Sequence, residues 1–150
     1  VYIFPRLVAY QKVTTGPIVI ANAGSILAVN MTEIARVNVP SLPVPIELTA
    51  KCVVQNNGAS GTNLDAYIGL APAGAVGAAV AALSCVDSMG EINVGGSTNE
   101  PPGRKMWASF WLPENSGGDY IVGAWRETGS DAGNVILNSL VPGELAAVRG

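Results

Sequence analysis

The sequence predicts an all-β protein, an antiparallel β-sandwich of jelly-roll type built from 8–10 short strands. Three observations lead there. Runs of β-branched and aromatic residues alternate with polar ones at period two, the spacing of a strand with one face on a core. Clusters of Gly, Pro, Asn and Asp separate the runs, as turns require. No long stretch keeps the 3.6-residue period of an amphipathic helix. At 150 residues, a single domain spanning 1–150 is expected.

The elements follow in order. Tyr2 to Tyr10 and Val13 to Ile20 read as strands interrupted at Pro5 and Gly16-Pro17, with a turn at Asn22-Ala-Gly24. Ser25 to Asn30 and Ile34 to Val39 come next. Pro40-Ser-Leu-Pro-Val-Pro45 cannot pair centrally, because three prolines lack donors, so it should lie at an edge or cross between sheets. Ile46 to Gln55 is the clearest amphipathic strand: Ile46, Leu48, Ala50, Cys52 and Val54 alternate with Glu47, Thr49, Lys51 and Gln55. Asn56-Asn-Gly58 is a hairpin turn signal, after which Leu64, Ala66, Ile68 and Leu70 resume the alternation.

Ala73 to Ala82 is the one stretch whose alanines suit a short helix, with Gly77 against it. Val80 to Val86 reads as a short strand and Asp87 to Pro102 as a long polar loop. Met106, Ala108, Phe110 and Leu112 then alternate with Trp107, Ser109 and Trp111. Asn115-Ser-Gly-Gly-Asp119 turns the chain into Tyr120 to Glu127, and Gly129-Ser-Asp-Ala-Gly133 turns it into Asn134 to Leu140. The last strand is Glu144 to Arg149.

Composition narrows the function. With no histidine, the chain lacks the commonest general base, the commonest metal ligand and every Ser/His or Cys/His nucleophile pair. Charged residues are 13% of the chain against 49% hydrophobic, which suggests that some apolar surface meets other subunits. A net charge of −3 with no basic stripe argues against nucleic acid. The longest apolar run, Leu70 to Leu83, is broken by Pro72, Gly74 and Gly77 and is too short to span a bilayer, so no membrane role is expected. Two cysteines, Cys52 and Cys85, leave both a buried thiol and a disulfide open; their spacing does not suit zinc. The acids at Asp87, Glu91 and Glu100 lack the dense alternation of a calcium loop, and no carboxylate pair stands out as a glycosidase site. The expectation is therefore no enzyme, no cofactor and no metal.

The side chains of most interest are the tryptophans. Trp107 and Trp111 project from the face opposite Met106, Ala108, Phe110 and Leu112. Such indoles suit a subunit interface, where Trp is a favoured anchor; the alternatives are a sugar-stacking platform and a strand buried on both faces within one chain. Trp125 lies in a segment apolar on both faces, with Ile121 and Gly123 on its side and Tyr120, Val122 and Ala124 on the other. A trimer with its inner sheets packed about a threefold axis would cover both. Trp107, Trp111 and Trp125 are the expected subunit or partner interface.

Three stretches carry a family resemblance. These are Lys12-Val-Thr-Thr-Gly-Pro-Ile-Val-Ile20 with Ser25-Ile-Leu-Ala-Val29; Ile46 to Gly58 leading into Leu64-Asp-Ala-Tyr-Ile68; and Asp119 to Trp125, Gly133 to Leu137 and Glu144 to Val148. Together they resemble the trimeric jelly-roll heads of tailed-phage virions, a shape shared with the C1q and tumour-necrosis-factor superfamily. The chain departs from fibre proteins in lacking a collagen-like or coiled-coil stalk. The resemblance implies a homotrimeric structural protein of a tailed bacteriophage virion, a capsid decoration or tail-associated protein, assembled in the host cytoplasm. Its implied partners are its own copies and the major capsid or tail proteins, with Pro40 to Pro45 and Asp87 to Pro102 as contact arms. The alternative is a receptor- or carbohydrate-binding module that recognises host surface glycans.

Overall fold

The computed structural model describes residues 6–20, 31–56, 63–73, 87–93, 104–126, 133–137 and 143–149. They form ten strands: β1 (Arg6–Val13), β2 (Ile18–Val19), β3 (Thr32–Val39), β4 (Ile46–Asn56), β5 (Asn63–Pro72), β6 (Asp87–Asn93), β7 (Arg104–Leu112), β8 (Gly118–Arg126), β9 (Gly133–Ile136) and β10 (Gly143–Arg149). The pairing is nested. β5 pairs with β6, β4 with β7, β3 with β8, β2 with β9 and β1 with β10, each antiparallel. The chain is thus one long hairpin with β5 and β6 at its tip. Rolling that hairpin up lets β10 and β9 share one side of β4, and lets β8 pair with β5.

The result is two sheets. The first runs β1-β10-β4-β7, with β9 and β2 prolonging it beyond β10 and β1; the second runs β3-β8-β5-β6. A double-sheet sandwich made from a rolled hairpin is a jelly roll, as the strand pattern predicted.

Alternation along each strand builds the core. Leu48, Ala50, Val54, Leu145 and Ala147 of the first sheet meet Val37, Val39, Ile68, Leu70, Val122 and Ala124 of the second, all buried. Pro40 to Pro45 carries the chain from β3 in the second sheet to β4 in the first, the crossing that its prolines required. The turn between β7 and β8 is fastened to this crossing: Asn115 N donates to Leu42 O at 2.7 Å, with Asn115 at φ 61°. Gly117 lies so close that a Cβ there would sit 2.5 Å from Ser41 N, backbone that cannot step aside.

Tyr120 closes the same turn, its hydroxyl donating to Ser116 O at 2.7 Å. Burial of the ring raises its pKa above the usual 10.0. Tyr120→Phe should therefore cost about 0.5–1.5 kcal/mol at neutral pH through the lost hydrogen bond. A pKa raised on folding contributes stability below the unfolded value and loses it as pH rises through the folded one. Urea titrations of both proteins should show their difference shrinking above about pH 10.

Some expectations need correction. Asp87 to Asn93, read as the start of a loop, is strand β6, paired with β5. At the end of the sheet, ladder hydrogen bonds to one neighbour set the backbone even where the sequence is polar. Val13 to Ile20 is not one strand: Val13 ends β1, and only Ile18–Val19 pairs again as β2. The strand expected over Asn134 to Leu140 is shorter, β9 ending at Ile136. The segments Ser25 to Asn30 and Val80 to Val86, Cys85 and nearly all of the Ala73 to Ala82 stretch lie outside the described residues.

Trp125 is the largest correction. It was expected at a subunit interface, yet it is fully buried within a single chain, at 0% exposure. β8 is indeed apolar on both sides, and both are covered. Val122 and Ala124 face the main core, while Ile121 and Trp125 join Met31 and Ala71 in a second apolar layer flanked by Tyr67 and Ala73. Trp125 stacks on Tyr67 with ring centroids 6.0 Å apart and an interplanar angle of 20°. Gly123 lets this layer close, since a Cβ there would meet Met31 Cβ at 2.8 Å. The chain's own residues, and no neighbouring subunit, do the covering.

Candidate assembly surface

The outer face of the first sheet can be assembled from register alone, because residues directly opposite in an antiparallel pair point to the same side. Lys12 of β1 lies opposite Glu144 of β10, Glu144 opposite Lys51 of β4, and Lys51 opposite Trp107 of β7. The next outward row is Tyr10, Ala146, Thr49 and Ser109. The third is Leu7, Val148, Glu47 and Trp111. Further along, Val19, Asn134 and Gln55 share the same side across β2, β9 and β4.

The exposures on this face are uneven. Trp107 is 71% exposed, Leu7 59%, Val19 58%, Trp111 56% and Tyr10 47%. These are the exposed large hydrophobics among the described residues, and all lie on one side of one sheet. The two indoles stand four residues apart on β7, about 13 Å at roughly 3.4 Å per residue. Small side chains, Ala146 and Thr49, occupy the middle strands between the aromatic flank on β7 and the Leu7 and Tyr10 flank on β1. Burial of Trp107 and Trp111 on both faces within one chain, one of the readings open from sequence, does not hold.

Charge is interleaved with this apolar surface. Lys12 and Lys51 flank Glu144 in one row and Glu47 lies in another, so no single-sign field builds up. Tyr10 donates its hydroxyl to Glu144 Oε1 at 2.9 Å. That hydrogen bond, ahead of burial and the carboxylate's charge, raises the tyrosine pKa. The hydrogen bond ties the ring to β10.

The second sheet presents a different outer surface. Over β8 and β5 it is covered by the layer around Trp125. At β3 it is polar: Arg36 grips both oxygens of Glu33 at 2.9 and 3.0 Å, and Asn38 Nδ2 donates to Asp119 Oδ1 at 2.7 Å. The arginine pKa is raised, first by the hydrogen bonds to Glu33 and then by its charge.

No protein-family model, curated protein or solved structure matches this chain.

The geometry separates the three expected interface residues. Trp107 and Trp111 stand on one exposed face, and Trp125 is enclosed behind the opposite sheet. Leu7, Tyr10 and Val19 join the first two and were missed from sequence. A shift of register between Leu7 and Ala9 brings Leu7 outward, breaking the alternation that would have revealed it. Among the described residues, no group of three or more His, Cys, Asp or Glu is arranged to hold a metal ion. Cys52 is buried in the main core at 3% exposure. No helix among the described residues is long and apolar enough to cross a membrane.

Proposed function

We propose that the chain is a structural virion protein of a tailed bacteriophage, a capsid decoration or tail-associated protein that works through assembly contacts. The observation that carries this reading is the gathering of the exposed large apolar side chains onto one outer sheet face. Several large apolar side chains exposed on one sheet face, interleaved with charged and small polar ones, are a form that a protein contact takes. The homotrimer that the resemblance implies is part of the same proposal, with major capsid or tail proteins as further partners. Trp107 and Trp111 are its anchors, since a large rigid side chain at the centre of a contact contributes most of its energy.

A second reading has one observation in its favour. Trp107 and Trp111 offer flat rings beside the hydroxyls of Thr49 and Ser109, groups that together suit a sugar. A host-glycan-binding module would use the same face.

The test is peptide mass spectrometry of purified particles of the phage that encodes the chain, combined with a glycan array of the free protein. The virion reading expects the chain at a fixed copy number per particle and no saturable glycan binding. Its absence from particles, with saturable binding to a defined glycan, would overturn it in favour of the second reading.

A further inference from the structure

A threefold axis sets a surface against its own copies only at the axis itself, so each chain of a closed trimer must offer two different surfaces, one to each neighbour. The outer face of the first sheet carries two. On the β7 flank stand Trp107 and Trp111; on the β1 flank stand Leu7 and Tyr10, with Lys12 exposed beside them. The flanks are separated by β10 and β4, which places them about 14 Å apart at roughly 4.8 Å per strand. Between them the middle row is low, with Ala146 of β10 and Thr49 of β4.

Antiparallel pairing fixes the level of each residue along this face, because partners lie directly across from one another. Leu7 is level with Trp111, through Val148 and Glu47. Tyr10 is level with Ser109, through Ala146 and Thr49. Lys12 is level with Trp107, through Glu144 and Lys51. Rotation about an axis parallel to the strands moves nothing along that axis. Each residue of one flank therefore comes beside the residue of its own row on the neighbour's other flank.

We propose that three copies of the chain close into a ring with these faces toward the axis, the β1 flank of each chain packed on the β7 flank of the next. The rows then match in chemistry. Leu7 packs on the indole of Trp111, apolar on apolar. Lys12 brings its ammonium to the indole of Trp107, a contact that the negative face of an aromatic ring favours. Tyr10 stands between these two contacts beside Ser109, its ring already tied to β10 of its own chain through Glu144. The exposed apolar side chains of β1 thus have the same role as the tryptophans: each flank is the other's receiving surface. This rests on the homotrimer of the proposed function, and it is independent of a place in the virion.

Cross-linking of the full chain tests it. Tyr10→Cys/Ser109→Cys carries both halves of the middle row in one chain and leaves Leu7, Lys12, Trp107 and Trp111 in place. A short bis-maleimide should join this variant into two-chain and three-chain species on a denaturing gel and nothing larger, above the background of the wild type. Either substitution alone should stay at that background. Mixing and reassembling the two single variants should give a two-chain product, which also covers a folding failure of the double variant. In ultracentrifugation, Lys12→Gln should weaken association by roughly 2- to 30-fold per contact, the worth of a cation over an indole, and Lys12→Arg should keep it. Unchanged association of Lys12→Gln would overturn the Lys12–Trp107 contact. No cross-linking above the wild type, in the double variant and in the mixture, overturns the pairing of flanks. If native mass spectrometry still finds a trimer in that case, the homotrimer stands and its copies meet elsewhere. A product that stops at two chains overturns the threefold ring, and a clean monomer overturns the ring and the homotrimer together.

Discussion

Trp125→Ala is expected to destabilise the fold by about 3–5 kcal/mol, the range for removing a fully buried large aromatic. Against a typical total of about 5–15 kcal/mol, that leaves a marginal or unfolded protein. Two losses combine. The indole is fully buried and takes with it the stack on Tyr67 and its contribution to the layer of Met31, Ala71 and Ile121. The gap cannot collapse easily, because Gly123 already lies in contact with Met31 and the backbone beneath is held by β-ladders on both sides. Trp125 Nε1 is buried with no hydrogen-bond partner among the described residues. A buried donor without a partner is itself a cost, so Trp125→Phe should be much milder than Trp125→Ala. Urea unfolding followed by circular dichroism measures both, with stability read from the midpoint at unchanged slope. A loss below about 1 kcal/mol for the alanine variant would mean that the second apolar layer contributes little to the fold.

The double variant Trp107→Ala/Trp111→Ala should have the opposite profile. Both indoles are more than half exposed, at 71% and 56%. The single-chain fold should keep its stability to within about 0.5 kcal/mol, the usual range for surface changes. Assembly should fail. Each anchor at a contact centre is worth about 2 kcal/mol or more, and positions some 13 Å apart act nearly independently, so the expected weakening is about 10³-fold. Analytical ultracentrifugation over a concentration series measures it. Unchanged association would remove both tryptophans from the contact.

The contrast between these tryptophans marks where the sequence was legible. Strands β4, β5, β7, β8 and β10 announced themselves through alternation or apolar runs, and the prolines of the Pro40 to Pro45 segment forecast its crossing. The facing direction of Trp107 and Trp111 also followed from alternation within β7. What covers a face is not local. Trp125 and Trp111 both sit in apolar, aromatic strands, yet one is enclosed by Met31, just before β3, and by Tyr67 and Ala71 of β5, and the other is exposed. The row from Lys12 to Trp107 was equally hidden, because it depends on pairing β1 with β10, and Tyr10 with Glu144 across 134 positions of chain. β6 was missed because its polar sequence takes its conformation from β5.

Native mass spectrometry of the wild-type chain at low micromolar concentration decides whether the exposed face of the first sheet is an assembly surface. The wild type should be a discrete homo-oligomer that Trp107→Ala/Trp111→Ala returns to monomer. A clean wild-type monomer would contradict it, and the exposed indoles would then have to serve a ligand such as a glycan.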